Sequence, residues 1–169
     1  MIGTNANIII LTKSKLVVRD IDLFKKFENI EIGISITTLN EKFAKEIEPR
    51  ASKPLERLEA LKKIHNEGLK TYTFISPFFP GITNFKDIIK ETIDYTDHYK
   101  FENLNFRPHN VPRIFNIIER TNSALIPTYQ KFRNNPLNWV PIEEEIKVFC
   151  DKNKLEYRIE FHHGGFSKS

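Results

Sequence analysis

The stretch from residue 30 to residue 68 constrains the fold most, because strand and helix signals follow one another there at close intervals. Residues 30–38 alternate in isoleucine, which is typical of a buried strand. Asn40 is suited to cap a short helix that Pro49 interrupts, and a second helix runs from Pro54 to the glycine at 68. Residues 69–79 are the next apolar strand. This order predicts a βαβ unit with parallel strands and a right-handed crossover.

The same alternation extends on both sides of this unit. Residues 7–12 predict a further strand and residues 15–28 an amphipathic helix. A helix is expected over 84–95 and a fourth strand over 104–107. The pattern is that of an α/β fold, either a doubly wound sheet or an incomplete TIM-like barrel of parallel βα units.

Four strands do not close a barrel, which takes about eight. We expect another chain, or an N-terminal half, to complete the barrel and cover its open apolar edges. The alternative is a small open sheet that stands alone.

The remainder of the chain has a different character. Helices are predicted over 112–122, over 126–133 and from Pro141 to about residue 153, and a last strand over 155–161. We treat residues 1–169 as one domain, with an α/β core over about 7–107 and a helical extension with a last strand over 108–169.

Composition excludes several classes of protein. A 40% hydrophobic and 28% charged chain is typical of an ordinary globular domain. The formal net charge of +4 permits a nucleic-acid partner without arguing for one. A single cysteine rules out an internal disulfide framework, and no targeting or membrane-spanning segment is evident, so we predict a cytoplasmic protein without a membrane partner.

Polar residues collect where the predicted strands end, which is where ligands bind in such folds. Lys13 follows the first strand, Ser35 and Thr37 lie at the end of the second, and Ser76 lies near the end of the third. His109 follows the fourth and could act as an acid or base. The set suits an anionic or zwitterionic small molecule, with Lys13 for a carboxylate and hydroxyls for a ribose or amino group. The alternative is a solvated Lys13 and a merely hydrogen-bonded Ser35.

Other polar residues favour structural roles. Glu48 and Arg57 flank the Pro49 break, where a bidentate pair would fix the loop. Cys150, inside a predicted helix, is expected to be a buried thiol, and His98 a residue on a helix surface. We expect the aromatic residues to lie in the core, and no metal site is indicated.

Six short motifs in order resemble the later half of the radical S-adenosylmethionine (SAM) enzymes of the spore photoproduct lyase-like group. They are Thr12-Lys13-Ser14, Val18-Arg19-Asp20, Ile34-Ser35-Ile36-Thr37-Thr38, Glu48-Pro49-Arg50-Ala51, Arg57-Leu58 and Ile75-Ser76-Pro77-Phe78-Phe79-Pro80-Gly81. The resemblance covers roughly residues 8–85, about half of the chain.

The resemblance implies that SAM is bound by Lys13 and Ser35, with Arg50 within reach of its carboxylate and Thr37 as a further hydroxyl. It implies SAM cleavage to a 5′-deoxyadenosyl radical, used in that group often on a damaged DNA base. Such enzymes hold a 4Fe-4S cluster on three cysteines spaced C-x3-C-x2-C, whereas this chain has only Cys150. The cluster would therefore come from a missing N-terminal half or a partner chain.

These features leave three functions open. The first is the C-terminal part of a radical SAM enzyme, inactive alone. The second is a cluster-free module that binds SAM or a nucleoside. The third is a scaffold subunit whose sheet edge completes a partner's barrel.

Overall fold

The computed structural model describes residues 6–162, and their centre is a sheet of five parallel strands. The strands lie side by side in chain order, and every neighbouring pair is parallel. They are β1 (Ile8–Thr12), β2 (Ile30–Ser35), β3 (Lys70–Phe78), β4 (His98–Asn103) and β5 (Tyr157–Ile159). In the described part of the chain β1 and β5 form the two edges, so the sheet is an open α/β arrangement and not a closed barrel, as predicted.

Helices connect the strands and form the C-terminal extension. The α-helices are α1 (Ile21–Phe24), α2 (Glu41–Ile47), α3 (Pro54–Asn66), α4 (Phe85–Thr92), α5 (Val111–Asn122), α6 (Ile126–Asn134) and α7 (Val140–Lys152). Short 3-10 helices cover Lys15–Asp20, Ile93–Tyr95, Ser123–Leu125 and Pro136–Trp139. Within residues 6–162, no helix has both the length and the apolar character needed to cross a membrane.

The βαβ unit forms for the reasons that its sequence indicates. The Asn40 side chain accepts a hydrogen bond from the backbone N–H of Phe43 at 3.0 Å and so caps α2. Pro54 begins α3, where its missing N–H costs nothing. Gly68 follows α3 at φ +79°, a conformation that glycine adopts without a steric penalty, and turns the chain into β3.

Two predicted elements were wrong in position or type, and a third is shorter than predicted. The fourth strand is His98–Asn103, not residues 104–107, and His98 therefore lies on a strand and not on a helix surface. Residues 15–28 form a 3-10 helix followed by the single turn of α1, instead of one amphipathic helix. The last strand is confined to Tyr157–Ile159. In β4 polar residues alternate with the buried aromatic residues Tyr99 and Phe101, and for this reason the segment was not predicted as a strand.

The two faces of the sheet differ. One face forms the hydrophobic core against the helices and includes Ile32, Ile34 and Ile75, all fully buried. The register places residues 9, 11, 31, 33, 35, 70, 72, 74, 98 and 100 on the opposite face, which we call the inner face. Ile9 and Leu11 on this face are 60% and 48% exposed.

Candidate functional site

A cavity of about 520 Å³ lies at the carboxyl ends of β1 to β4. We call it the mouth cavity. Its polar lining includes Thr12, Lys13, Ser35, Ser76, Glu102 and Asn105, and its apolar lining Leu11, Phe74 and Pro77. The volume lies within the range usual for small-molecule sites. Lys13 and Ser35, which we predicted to share a site, both line it.

Lys13 belongs to a chain of charges beside the cavity. Its ammonium group contacts one carboxylate oxygen of Glu48, and Arg57 Nη2 lies 2.6 Å from the other. The Arg57 side chain is 3% exposed and that of Lys13 39%. Because Lys13 and Arg57 both pair with Glu48, these three side chains carry a net positive charge. Lys13 is the cation of the group that solvent reaches.

In addition to its contact with Glu48, Arg57 donates hydrogen bonds to two backbone carbonyl groups of the site. Its Nη1 donates to the carbonyl oxygen of Ser35 at 3.0 Å, and its Nε donates to that of Ser52 at 2.8 Å. The predicted pairing of Arg57 with Glu48 across the Pro49 break is confirmed. Its predicted bidentate form was wrong, because only one guanidinium nitrogen contacts the carboxylate.

The hydroxyl groups of Ser35 and Thr37 both donate to the carbonyl oxygen of Ser76, at 3.0 Å and 2.7 Å. Both side chains are buried. Each hydroxyl oxygen keeps a lone pair with which it could accept a hydrogen bond. Ser35 lines the mouth cavity, whereas Thr37 does not. Ser76 in turn donates from its Oγ to Glu102 Oε2 at 2.7 Å.

Two other residues singled out in the sequence lie away from the mouth cavity. Arg50 is exposed in the turn that follows α2 and does not contribute to the lining. His109 is exposed in the loop after β4 and also lies outside the lining. The role of Arg50 toward a cofactor carboxylate stays a prediction.

The sequence interpretation missed Glu102 and Asn105, because it placed the fourth strand too late in the chain. With β4 at His98–Asn103, Glu102 lies at the mouth and Asn105 lies two residues after the strand ends. The available signal was the alternation of His98, Lys100 and Glu102 with buried Tyr99 and Phe101. Polar residues at every second position are what a strand lining the inside of a barrel carries.

A second polar cluster lies on the inner face near the amino ends of β2 to β4. The Tyr72 ring covers Gly33, which has no side chain to displace it. His98 stacks on Tyr72 with ring centroids 5.2 Å apart, and Lys100 Nζ lies 4.1 Å from the centroid of the Tyr72 ring. These contacts hold Tyr72 in a fixed position, at 2% exposure.

The charge state of this cluster depends on burial. Burial lowers the pKa of His98, against the opposing effect of Glu31, whose Oε1 lies 3.2 Å from His98 Nδ1. Lys100 and Lys70 lower this pKa further, and Glu156 raises it.

Acid is expected to destabilise the protein through His98. A histidine in the unfolded chain has a pKa of about 6.5. Because the pKa of His98 is lower in the folded protein, the unfolded chain binds more protons below that pH. The free energy of unfolding should therefore fall as the pH drops below about 6.5 toward the lowered pKa of His98 in the folded protein. Urea denaturation across this window tests the expectation. The variant His98→Gln should show a flatter profile, and His109→Gln, at an exposed loop position, should keep the wild-type slope. An unchanged slope in His98→Gln would contradict this assignment.

The described residues do not fit an iron–sulfur cluster. Within residues 6–162 no three histidine, cysteine, aspartate or glutamate side chains are grouped as metal ligands. Cys150 is fully buried in α7, and burial raises its pKa to about 11, so it is a protonated thiol near neutral pH. Its predicted structural character is confirmed.

Comparison with known sequences identifies the family. The sequence profile of the Radical SAM superfamily matches residues 2–95, more than half of the chain, and the matched region includes β1 to β3 with Lys13 and Ser35. The chain belongs to the radical SAM superfamily.

Two relatives of this radical SAM chain are longer proteins. The uncharacterized protein MJ0683 of Methanocaldococcus jannaschii is 44% identical over 106 residues, which are 63% of this chain and 41% of the relative. The uncharacterized protein ORF301 of Acidianus two-tailed virus is 40% identical over 87 residues, 51% of this chain and 29% of the relative. The matches thus span less than half the length of these relatives.

Solved structures of a longer protein contain a similar fold. SuiB of Streptococcus suis superimposes with a TM-score of 0.62 at 11% sequence identity, over 91% of this chain and 32% of SuiB. The structure of SuiB bound to S-adenosylmethionine gives a TM-score of 0.57 at 12% identity. At these identities the likeness concerns the fold, which is a partial barrel of the radical SAM type.

Proposed function

We propose that this chain is the SAM-holding part of a radical SAM enzyme of the spore photoproduct lyase-like group. The observation that carries the proposal is the mouth cavity, which sets Lys13 and Glu102 in one lining at the carboxyl ends of the strands. The superfamily membership and the ordered motifs that include Lys13, Ser35 and Arg57 support it.

The charges of the mouth cavity complement an amino acid. SAM ends in a methionine moiety with one carboxylate and one ammonium group. Lys13, which carries the excess positive charge of its group with Glu48 and Arg57, would bind the carboxylate. Glu102 and the Ser35 oxygen would accept hydrogen bonds from the ammonium group or a ribose hydroxyl.

The apolar part of the lining suits the remainder of the cofactor. Leu11, Phe74 and Pro77 offer surface for the adenine ring and the methylene groups. Together with the polar residues they would orient SAM and exclude water from it. Binding and orienting the cofactor is what a protein contributes to such a reaction. When SAM is bound beside a reduced 4Fe-4S cluster, the family's chemistry is the supply of a 5′-deoxyadenosyl radical.

The cluster would come from elsewhere, since the chain holds one cysteine and it is buried. We propose that an N-terminal half or a partner chain with a C-x3-C-x2-C motif completes the enzyme, and that this chain is inactive alone. The greater length of MJ0683 and ORF301 is in keeping with such an additional segment. A damaged DNA base is the substrate implied by the group, and the net charge of +4 adds little support for it.

Lys13→Ala should weaken SAM binding by about ten-fold or more, because a hydrogen bond to a charged group contributes roughly 1.5–3 kcal/mol. Equilibrium dialysis with labelled SAM measures the affinity of the wild-type chain and the variant. Lys86→Ala is the matched control: it also removes a lysine from an ion pair, with Glu145, away from the mouth cavity. It should bind SAM as the wild type does.

Two results would contradict the proposal. One is a wild-type chain without measurable SAM affinity. The other is equal affinity in Lys13→Ala and the wild type, which would place any bound SAM elsewhere. Tight binding with no companion segment in the source cells would favour the cluster-free module instead.

A scaffold role is the second candidate, and the exposed part of the inner face favours it. Ile9 and Leu11 present apolar surface on β1, which is an edge strand of the sheet formed by residues 6–162. A βα segment that adds a parallel strand to β1 would cover both. This role predicts a stable heteromer in the native mass spectrum of protein from the source cells, together with no SAM affinity.

A further inference from the structure

A second cavity, of about 280 Å³, lies beside the mouth cavity, and we call it the side pocket. The loop after β4 forms one wall, and the end of α6 with the 3-10 helix before α7 forms another. Its lining includes Arg107, Arg133 and His162 as hydrogen-bond donors. No residue that the described chain contributes to this lining is acidic.

The Asn103 side chain holds the backbone of His162 at the rim of the side pocket. Asn103 Nδ2 donates to the His162 carbonyl oxygen, and the His162 N–H donates to Asn103 Oδ1, both at 3.0 Å. Glu102 Oε1 lies 3.8 Å from His162 Nε2. A buried asparagine with both amide atoms engaged thus fixes this part of the rim.

The floor of the side pocket is aromatic. Phe132 and Trp139 pack edge to face with their centroids 4.5 Å apart, and Phe106 is half-buried in the loop wall. Aromatic side chains under a rim of arginines form a surface that suits a flat ring with an anionic substituent.

We propose that the side pocket binds a phosphate monoester of a planar ring. The two arginines would bind the phosphate, since a planar guanidinium matches phosphate oxygens with two parallel hydrogen bonds. Phe106 and Phe132 would contact the ring, and Trp139, which is 2% exposed, would support Phe132 from beneath. The cavity volume limits the ligand to a small molecule.

The side pocket adjoins the mouth cavity. Asn103 and Asn105 contribute to the lining of both. A ligand anchored by its phosphate in the side pocket would therefore extend toward the mouth. Its assignment as the enzyme's substrate rests on the proposed function, whereas its binding does not.

Phenyl phosphate is the probe that tests the side pocket, without SAM present. Trp139 is the sole tryptophan of the chain and lines the pocket, so its fluorescence reports on binding there. Arg133→Gln should weaken phenyl phosphate by about ten-fold, the loss of one charge-assisted contact. Arg120→Gln, which removes another exposed arginine from its contact with Glu46, is the matched control and should bind as the wild type does.

The outcomes separate clearly. Phenol that binds as well as phenyl phosphate, or Arg133→Gln that binds like the wild type, would overturn the proposal. A single-stranded oligonucleotide that displaces phenyl phosphate at a much lower concentration would overturn it in favour of a nucleic-acid phosphodiester. SAM affinity should be unchanged in Arg133→Gln, so this proposal and the proposed function can fail independently.

Discussion

Glu48→Ala should lower the free energy of unfolding by about 3–5 kcal/mol, the cost usual for removing one partner of a buried ion pair. The reason is Arg57, whose side chain is 3% exposed and would keep its charge without the carboxylate 2.6 Å away. Lys13 loses the same partner but is 39% exposed, so water can solvate it. Urea denaturation followed by circular dichroism measures the change.

Glu67→Ala is the matched control for this prediction. Glu67 also pairs with a cation, Lys25 at 2.6 Å, but both side chains are 42% exposed. Its loss should cost little, because water solvates and screens an exposed ion pair. Glu48→Gln keeps an acceptor for Arg57 and should fall between the two. Equal costs for Glu48→Ala and Glu67→Ala would show that the buried pair does not hold the site together.

Gly33→Ala should cost about 3 kcal/mol, because the inner face has no room for a methyl group at this position. A Cβ on residue 33 would lie 2.5 Å from Tyr72 Cε1 and closer still to Cζ. Tyr72 cannot simply move aside, since His98 stacks on it and Lys100 lies against its ring. The loss is measured by denaturant unfolding.

Two further variants identify the cause. In a Tyr72→Ala background, Gly33→Ala should become almost neutral, which a double-mutant cycle would show as a large coupling. Gly68→Ala, at φ +79° with no atom within 4 Å of the added Cβ, should cost only about 1 kcal/mol of backbone strain. A Gly33→Ala cost that persists without Tyr72 would contradict this explanation.

Much of the fold could be predicted from the sequence where local signals were strong. Asn40, Pro54 and Gly68 mark the limits of α2 and α3, and each does so through its own backbone chemistry. The isoleucines of β2 are fully or nearly fully buried. A buried strand face has to be apolar, so the sequence shows an isoleucine at every second position.

The position of β4 was missed, because an alternating strand is recognised only when the side of the sheet that each residue faces is taken into account. His98, Lys100 and Glu102 make β4 look polar, yet they lie on the inner face while Tyr99 and Phe101 fill the core. The misplaced strand hid Glu102 from the predicted site.

The candidate site was predictable in part. Lys13 and Ser35 could be placed together because the ends of parallel strands meet at one edge. The bond from Ser35 to the Ser76 carbonyl, and the bridging of Lys13 and Arg57 by Glu48, are long-range contacts that no local pattern encodes.

The central claim is that SAM binds in the mouth cavity, and NMR of the isotope-labelled chain during SAM titration tests it most directly. We predict that backbone signals of Lys13, Ser35 and Asn105 shift together and saturate, while those of α7 stay in place. Saturable shifts confined to another part of the chain, or none at high SAM concentration, would contradict the claim.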